Sequence, residues 1–285
     1  MKKFLTIFLS LFIASSAFAQ TTKSSNHIWE SAAYGQIPGV TEVVLNGNNG
    51  AITTTYEAVW PESSAYTPLN AAMSTPYCAS SDNTNDKAAG TGCLTMQVQG
   101  VNTSYAAFTE TVTMNGQTSV NLATSNVLFI NNLKCLTTGS TFANTGTIRC
   151  GTGTNTAGVP AVVHAHMPIG FGKSQTAMYL VPASRSLICR NWNFASAGLG
   201  ANLAVKFAIG TYTDPVSARN LQRDEVAILN QSAGHALTLP YLVKYPAKTL
   251  VMVQALAATS TGPVNVSAEC LLVNDTWAAT GQNVF

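Results

Sequence analysis

Between Cys93 and Leu122 apolar and polar residues take turns. Leu94, Met96 and Val98 alternate with Thr95, Gln97 and Gln99, the period of two expected of a half-buried strand. After a short turn at residues 100–103, Phe108, Val112 and Met114 alternate with Thr109, Thr111 and Thr113. Asn115-Gly116 follows, and Val120 and Leu122 alternate beyond it. Asn-Gly between two alternating runs is the strongest short-range hairpin signal, because a type I′ turn needs positive φ at both central residues. The pattern predicts three consecutive antiparallel strands over residues 92–122.

The same reading extends along the chain. Strands are expected at 40–45, 51–60, 77–80, 127–135, 147–150 and 162–167, with turns at Asn46-Gly47 and Asn49-Gly50. From Gly170 the pattern restarts with 176–181, 186–194, 201–209, 225–229, 236–242, 249–256 and 264–273. Turn signals recur every 8 to 12 residues or so, the spacing of sandwiches and jelly rolls. Helical periodicity is poor, with one turn possible at 217–224. The expected fold class is all-β, a β-sandwich or jelly roll, as two packed antiparallel sandwich units. Gly170-Phe171-Gly172 marks the boundary between an N-terminal β domain, 36–169, and a C-terminal one, 170–285.

The beginning of the chain changes the setting. Lys2 and Lys3, an apolar run from Phe4 to Ile13 and Ala17-Phe18-Ala19 before Gln20 read as a secretory signal peptide over 1–19. The apolar run is too short to span a bilayer stably, and no later segment is long and apolar enough to be a membrane helix. Residues 20–35 read as a polar N-terminal arm. Its Trp29 and Tyr34 are available to dock on a neighbour, with a local core contact the better reading for Tyr34.

Cleavage after residue 19 leaves 12 basic against 12 acidic side chains, and only 9% of the whole chain is charged. A nucleic-acid surface needs a basic field to displace counterions, and a polybasic membrane patch needs the same. Both classes are excluded. A neutral, Thr/Asn/Gly/Ala-rich chain has modest colloidal solubility, which burial in an assembly relieves.

An exported chain with six cysteines, Cys78, Cys93, Cys135, Cys150, Cys189 and Cys270, points to disulfides; buried free thiols are the alternative. Cys78 and Cys93 flank one polar loop, and Cys135 and Cys150 flank another. Each pair is fifteen residues apart, so each is expected to staple the neck of a hairpin. Cys189–Cys270 then follows by elimination. Without a Cys-x-x-Cys or a Cys/His cluster, no metal site is expected.

Candidate chemistry is sparse. His164 and His166 sit two apart on a strand and share a face, but no third ligand is marked by spacing; His27 and His235 are isolated. Glu110 shares a face with Phe108 and Val112 and needs a partner if buried, with Arg149 or Arg190 in prospect as a structural ion pair. Arg190, Trp192 and Phe194 alternate along one expected strand. An exposed Trp/Arg face binds sugars, but a core Trp beside a snorkelling Arg is the better reading. Gly90-Thr91-Gly92 and Gly151-Thr152-Gly153 are turn chemistry, because no helix follows to present its N-terminus. No nucleophile elbow, zincin motif or phosphate loop occurs. No catalytic residue, cofactor or metal is expected.

The stretches SSDNTNDKAAGTGCLTMQVQGVNTSYAAFTETVTMNGQTSV (80–120), NTGTIRCG (144–151), GKSQTAMYLVPASRSLICRNW (172–192) and the 240–275 tail are similar to virion structural proteins of marine tailed phages, β-rich proteins of the capsid-decoration or fibre type. The resemblance implies a fold and a structural role, and it brings no catalytic residues. The export signal and the six cysteines depart from that family and imply an oxidising, extracytoplasmic life. The expected function is an exported, non-enzymatic structural protein, a subunit or decoration of a virion-like or cell-surface assembly. The alternative is a secreted glycan-binding or adhesion module. The expected partners are further copies or other assembly subunits, or surface glycans, with no nucleic acid and no membrane span after signal cleavage.

Overall fold

The computed structural model describes residues 25–62, 66–196, 203–216, 220–231, 235–240, 242–258 and 262–275. The expected signal peptide and arm residues 20–24 lie outside them. With 59% strand and 3% helix the chain is all-β. Among the described residues its strands form four small antiparallel sheets in a propeller-like arrangement rather than a clear jelly roll.

The first sheet orders β1(Val40–Ile52), β17(Gly262–Asn274) and β11(Arg185–Ser196), with β14(His235–Leu239) and β15(Val243–Tyr245) both on the far edge of β11. The second orders β10(Met178–Leu180), β16(Thr249–Ala257), β12(Leu203–Thr213) and β13(Leu221–Gln231), with β2(Glu57–Ala58) also on β16. The third is β6(Val120–Asn121), β3(Tyr77–Ser80), β8(Ile148–Thr156) and β9(Val159–Met167). The fourth is β5(Ala107–Thr113), β4(Cys93–Asn102) and β7(Val127–Thr138).

Three apolar clusters hold these sheets together. Trp192, Phe194, Phe207, Val253 and Val266 fill the space between the first and second sheets. Met96, Val98, Leu133, Ile148 and Met167 do the same for the third and fourth. A third cluster joins the two assemblies: Trp60, Tyr66, Leu128 and Phe129 meet Met178, Leu180, Leu250 and Met252. The Tyr66 ring stands edge-on to Trp60 and to Phe129, at centroid distances of 5.4 and 5.7 Å, the geometry aromatic quadrupoles favour. The Asn131 amide reinforces this junction by donating to the Leu180 carbonyl at 3.0 Å and accepting from its N–H at 2.8 Å. It thereby mimics a strand pairing between β7 and β10.

Several expectations change here. The third strand of the predicted meander leaves its sheet: β4 and β5 pair, but β6 pairs with β3. Gly116 does take positive φ, at 62°, yet the turn carries the chain from one sheet to another. Asn46-Gly47 and Asn49-Gly50 are not turns; they lie inside β1, which pairs with β17 from Val40 to Ile52 with an irregularity between Asn49 and Ile52. Gly47 is needed for close approach, since a Cβ there would meet the Val59 carbonyl oxygen at 2.4 Å. A genuine two-residue turn of positive φ lies instead at Ala157 (50°) and Gly158 (83°), between β8 and β9. Of the turn of helix expected at 217–224, the described residues 221–224 are strand.

The Val40–Ile52 and Glu57–Ala58 strands, placed by sequence with the N-terminal half, belong to the sheets built by residues 178–274. The arm also changes. Residues 25–33 form the helix α1(Ser25–Ala33), closed by Gly35 at φ 66°. Ile28, Trp29 and Ala32 fall on one face of α1 and pack on Val40, Ile188, Leu271 and Val273 of the first sheet. Trp29 docks within its own chain, under the Arg190 guanidinium at 3.9 Å. Tyr34 is not a core contact; it is 79% exposed. Far-ultraviolet circular dichroism of the folded protein is expected to show a dominant β signal, and helix near a third of the residues would contradict the fold.

Candidate functional site

Three disulfides define the framework. Cys78 of β3 faces Cys150 of β8 in direct register, with Cα atoms 4.0 Å apart. Cys93 of β4 joins Cys135 of β7 at 5.7 Å, and Cys189 of β11 joins Cys270 of β17 at 4.0 Å. The expected Cys78–Cys93 and Cys135–Cys150 bridges are therefore incorrect. They assumed that consecutive strands are neighbours, but the loops 81–92 and 139–147 each cross from one sheet to another. A disulfide can bridge only Cα atoms within about 7 Å, and the sheet partners meet that condition.

Asp86 sits at the crossing. It is fully buried, and both carboxyl oxygens are saturated. Oδ1 accepts from the N–H of Cys93 at 2.8 Å, and from the N–H and hydroxyl of Thr145 at 3.0 and 3.3 Å. Oδ2 accepts from the Ser80 hydroxyl at 2.7 Å and the Gly146 N–H at 2.8 Å. One side chain thus ties the end of β3, the start of β4 and the approach to β8. Asp82 nearby caps the N–H groups of Thr84 and Asn85. Burial, the largest single effect, opposes its ionisation, but the Asn85 side-chain amide together with those N–H groups outweighs it and holds the carboxyl at about 2. In sequence both aspartates lie in the polar loop that Cys78 and Cys93 flank.

A second polar cluster joins residues that sequence separates. Glu62 Oε1 accepts from Arg149 Nε at 2.5 Å, and His166 Nδ1 lies 2.5 Å from the same oxygen. Burial opposes ionisation of Glu62, but His166 and Arg149 outweigh it and hold the carboxyl below its usual range. His164 lies two residues away on β9, and burial pushes its imidazole down to about 4. Among the described residues no group of three or more His, Cys, Asp or Glu could hold a metal ion.

The other candidates resolve differently from expectation. Glu110 pairs with neither arginine; its oxygens accept from the N–H groups of Ala123 and Thr124 and fasten the loop after β6. Arg190 pairs with Glu269. A bulge after Arg190, with Asn191 at φ 52°, shifts the register of β11. Arg190 therefore faces α1 while Trp192 and Phe194 face the core, stacked at 6.3 Å.

Between the two sheet assemblies runs a groove of about 370 Å³, bordered by β1 from Thr41 to Asn46 and by β5 at Ala107 to Thr109. Phe108 and Tyr179 supply aromatic walls, and Gln99, Asn132, Lys173 and Glu42 supply polar ones. Burial pushes the Tyr179 hydroxyl up to about 12, with Arg185 opposing, so the groove presents a neutral phenol. No helix among the described residues is long and apolar enough to cross a membrane.

No family model matches the chain, and no curated protein matches it. Solved structures of infectious bursal disease virus are weakly similar to it. The Gt-strain structure is 10% identical at a TM-score of 0.26, covering 86% of this chain and 77% of its own. The virus-derived T=1 particle is 8% identical at 0.25, covering 83% and 70%. The VP2 subviral particle is 8% identical at 0.25, covering 82% and 72%. Likeness at this level carries no argument about fold or role.

Two outcomes are expected from these clusters. Asp86→Ala strands buried donors from three segments and should destabilise the fold by about 3 kcal/mol or more. Asp86→Asn, which turns an amide N–H₂ toward those donors, should cost roughly 1–3 kcal/mol; urea unfolding measures both. Acid should destabilise the protein in two stages. His164, with its pKa lowered by folding, loses its contribution from about pH 6.5 down to about pH 4. Glu62, also lowered, loses its own from the ordinary carboxylate range downward through its folded pKa. Glu62→Gln should flatten the lower stage, at a cost on the order of 1 kcal/mol near neutral pH.

Proposed function

We propose that this chain is an exported, non-enzymatic structural protein, a subunit or decoration of a virion-like or cell-surface assembly, built as two packed sandwich units. One unit comprises β3 to β9. The other comprises β1, β2 and β10 to β17, in place of the continuous halves 36–169 and 170–285. The observation that carries this reading is a pair of sheet edges on one groove. Among the described residues β1 pairs only with β17 and β5 only with β4, and both border the same cleft. An unpaired edge offers its N–H and C=O groups to a strand of another chain. Soluble proteins guard such edges with Lys and Pro; β1 and β5 contain neither. The low charge of the chain and its disulfides agree with a packed assembly in an oxidising compartment.

A second reading, binding of a surface glycan, draws on Phe108 and Tyr179 in the same groove, since aromatic walls beside amides suit a sugar ring. In that case Tyr179→Ala abolishes glycan binding and leaves self-association unchanged.

The mature protein is expected to gain mass with concentration in light scattering coupled to size exclusion, and to form regular oligomers in electron micrographs. Val44→Lys places a charge on the β1 edge at a half-exposed position and should weaken association by about tenfold. A protein that stays monomeric at every concentration tested contradicts the proposal.

A further inference from the structure

We propose that the end of the molecule formed by loops 139–146 and 168–172 is a lipid-contacting tip that seats its apolar side chains in the interfacial layer of a bilayer. This inference is independent of the self-association proposed above.

Its starting point is a set of apolar side chains in water. Phe142 is 87% exposed, Ile169 59%, Phe171 54% and Leu136 45%. They converge, because the two loops are bonded to each other. Asn144, itself buried, donates through Nδ2 to the carbonyls of Gly146 and Pro168, both at 2.7 Å. Its Oδ1 accepts from the Gly172 N–H and its backbone carbonyl from the Gly170 N–H, both at 2.9 Å. The Cys135 N–H donates to the Gly172 carbonyl at 2.8 Å, which brings Leu136 beside Phe171. Phe142 takes φ 59°, and Gly170 and Gly172 take 78° and 64°. These sharp turns set the apolar residues at the loop apices. Positive φ is unfavourable for a phenylalanine, so the surrounding bonds hold a conformation the chain would not choose alone.

Two further observations select lipid as the occupant. First, the tip bonds part of its own backbone. The Phe142 N–H donates to Gly139, the Phe171 N–H to Pro168, and the Thr141 N–H to Thr91; the Thr141 hydroxyl also reaches the Thr91 carbonyl at 2.6 Å. Each such bond lowers the cost of leaving water, since an open peptide group is penalised in an apolar layer. Second, residues 134–146 and 167–173 contain no Asp or Glu. The carboxyl groups of Asp82 and Asp86 are engaged with Thr145 and Gly146. The exposed Lys134 lies two residues from the exposed Leu136 on β7, and a long cationic side chain there can reach headgroups while its neighbour enters the acyl region. A protein partner fits less well. Four side chains offer on the order of a few hundred Å², well short of the roughly 800 Å² per partner of a standard protein interface.

The test is flotation of the mature protein with vesicles of phosphatidylcholine alone and of phosphatidylcholine mixed with phosphatidylglycerol. Wild type should partition onto both. The double variant Phe142→Ser/Phe171→Ser should lose about tenfold or more, with circular dichroism unchanged because both positions are exposed. Lys134→Gln should weaken binding only to the anionic vesicles. A single Phe142→Trp variant should show a blue-shifted emission when either vesicle is added. No partition by wild type, equal partition by the double variant, or an unshifted Trp on floated protein each overturns the proposal. So does a result in which the double variant loses self-association in lipid-free buffer while wild type ignores vesicles, since that makes the tip a protein interface.

Discussion

The Asp86 carboxyl group has no exposure to water and accepts five hydrogen bonds, from Ser80, Cys93, Thr145 and Gly146. Its donors flank both disulfides of this part of the chain. Ser80 ends the strand that carries Cys78, Cys93 begins the next, and Gly146 precedes the strand that carries Cys150. Two loops must change sheets at this point, and a sheet change leaves peptide N–H groups without ladder partners. A buried N–H left open costs about as much as a lost hydrogen bond. Asp86 closes three of them at once. The order of strands in the third and fourth sheets, and hence the cysteine pairing, follows from that closure.

The rest of the molecule is hung on this frame by contacts that cross between assemblies. The Asn131 amide is bonded on both sides to Leu180. Tyr105 donates to Asp214 at 2.5 Å and accepts from the Val216 N–H. The chain returns on itself as well, since β1 and β17, from opposite ends of the sequence, lie side by side. Strand edges and loop tips are what such a body leaves available. The groove between β1 and β5 and the apolar end at Phe142, Ile169 and Phe171 are separate surfaces, and both are presented by a backbone that is hydrogen-bonded beneath them.

Local pattern in the sequence reveals strands better than it reveals neighbours. Alternation located β11, β16 and β17 to within two residues at each end, because side-chain period depends only on the strand itself, whereas β4 runs through the turn expected at 100–103 as far as Asn102. It failed where one residue answers to distant ones. Gly47 reads as a turn former, but the Val59 carbonyl requires it. Arg190 and Trp192 read as sharing a face, but the bulge at Asn191 turns them to opposite sides. Asp86 reads as one more polar loop residue in SDNTNDKAAGT, and nothing near it in the sequence marks its burial. The apolar tip was illegible for the same reason. Phe142 and Phe171 lie in separate Gly-rich loops, and only the Asn144 bonds bring those loops together.

Cys78 and Cys93, though consecutive among the cysteines, lie in different sheets. Non-reducing peptide mapping of the protein, isolated without reductant, tests it most directly. Three linked peptide pairs are expected, joining Cys78 to Cys150, Cys93 to Cys135 and Cys189 to Cys270. A Cys78–Cys93 or Cys135–Cys150 bridge, or six free thiols, would contradict the strand order and the oxidised framework built on it.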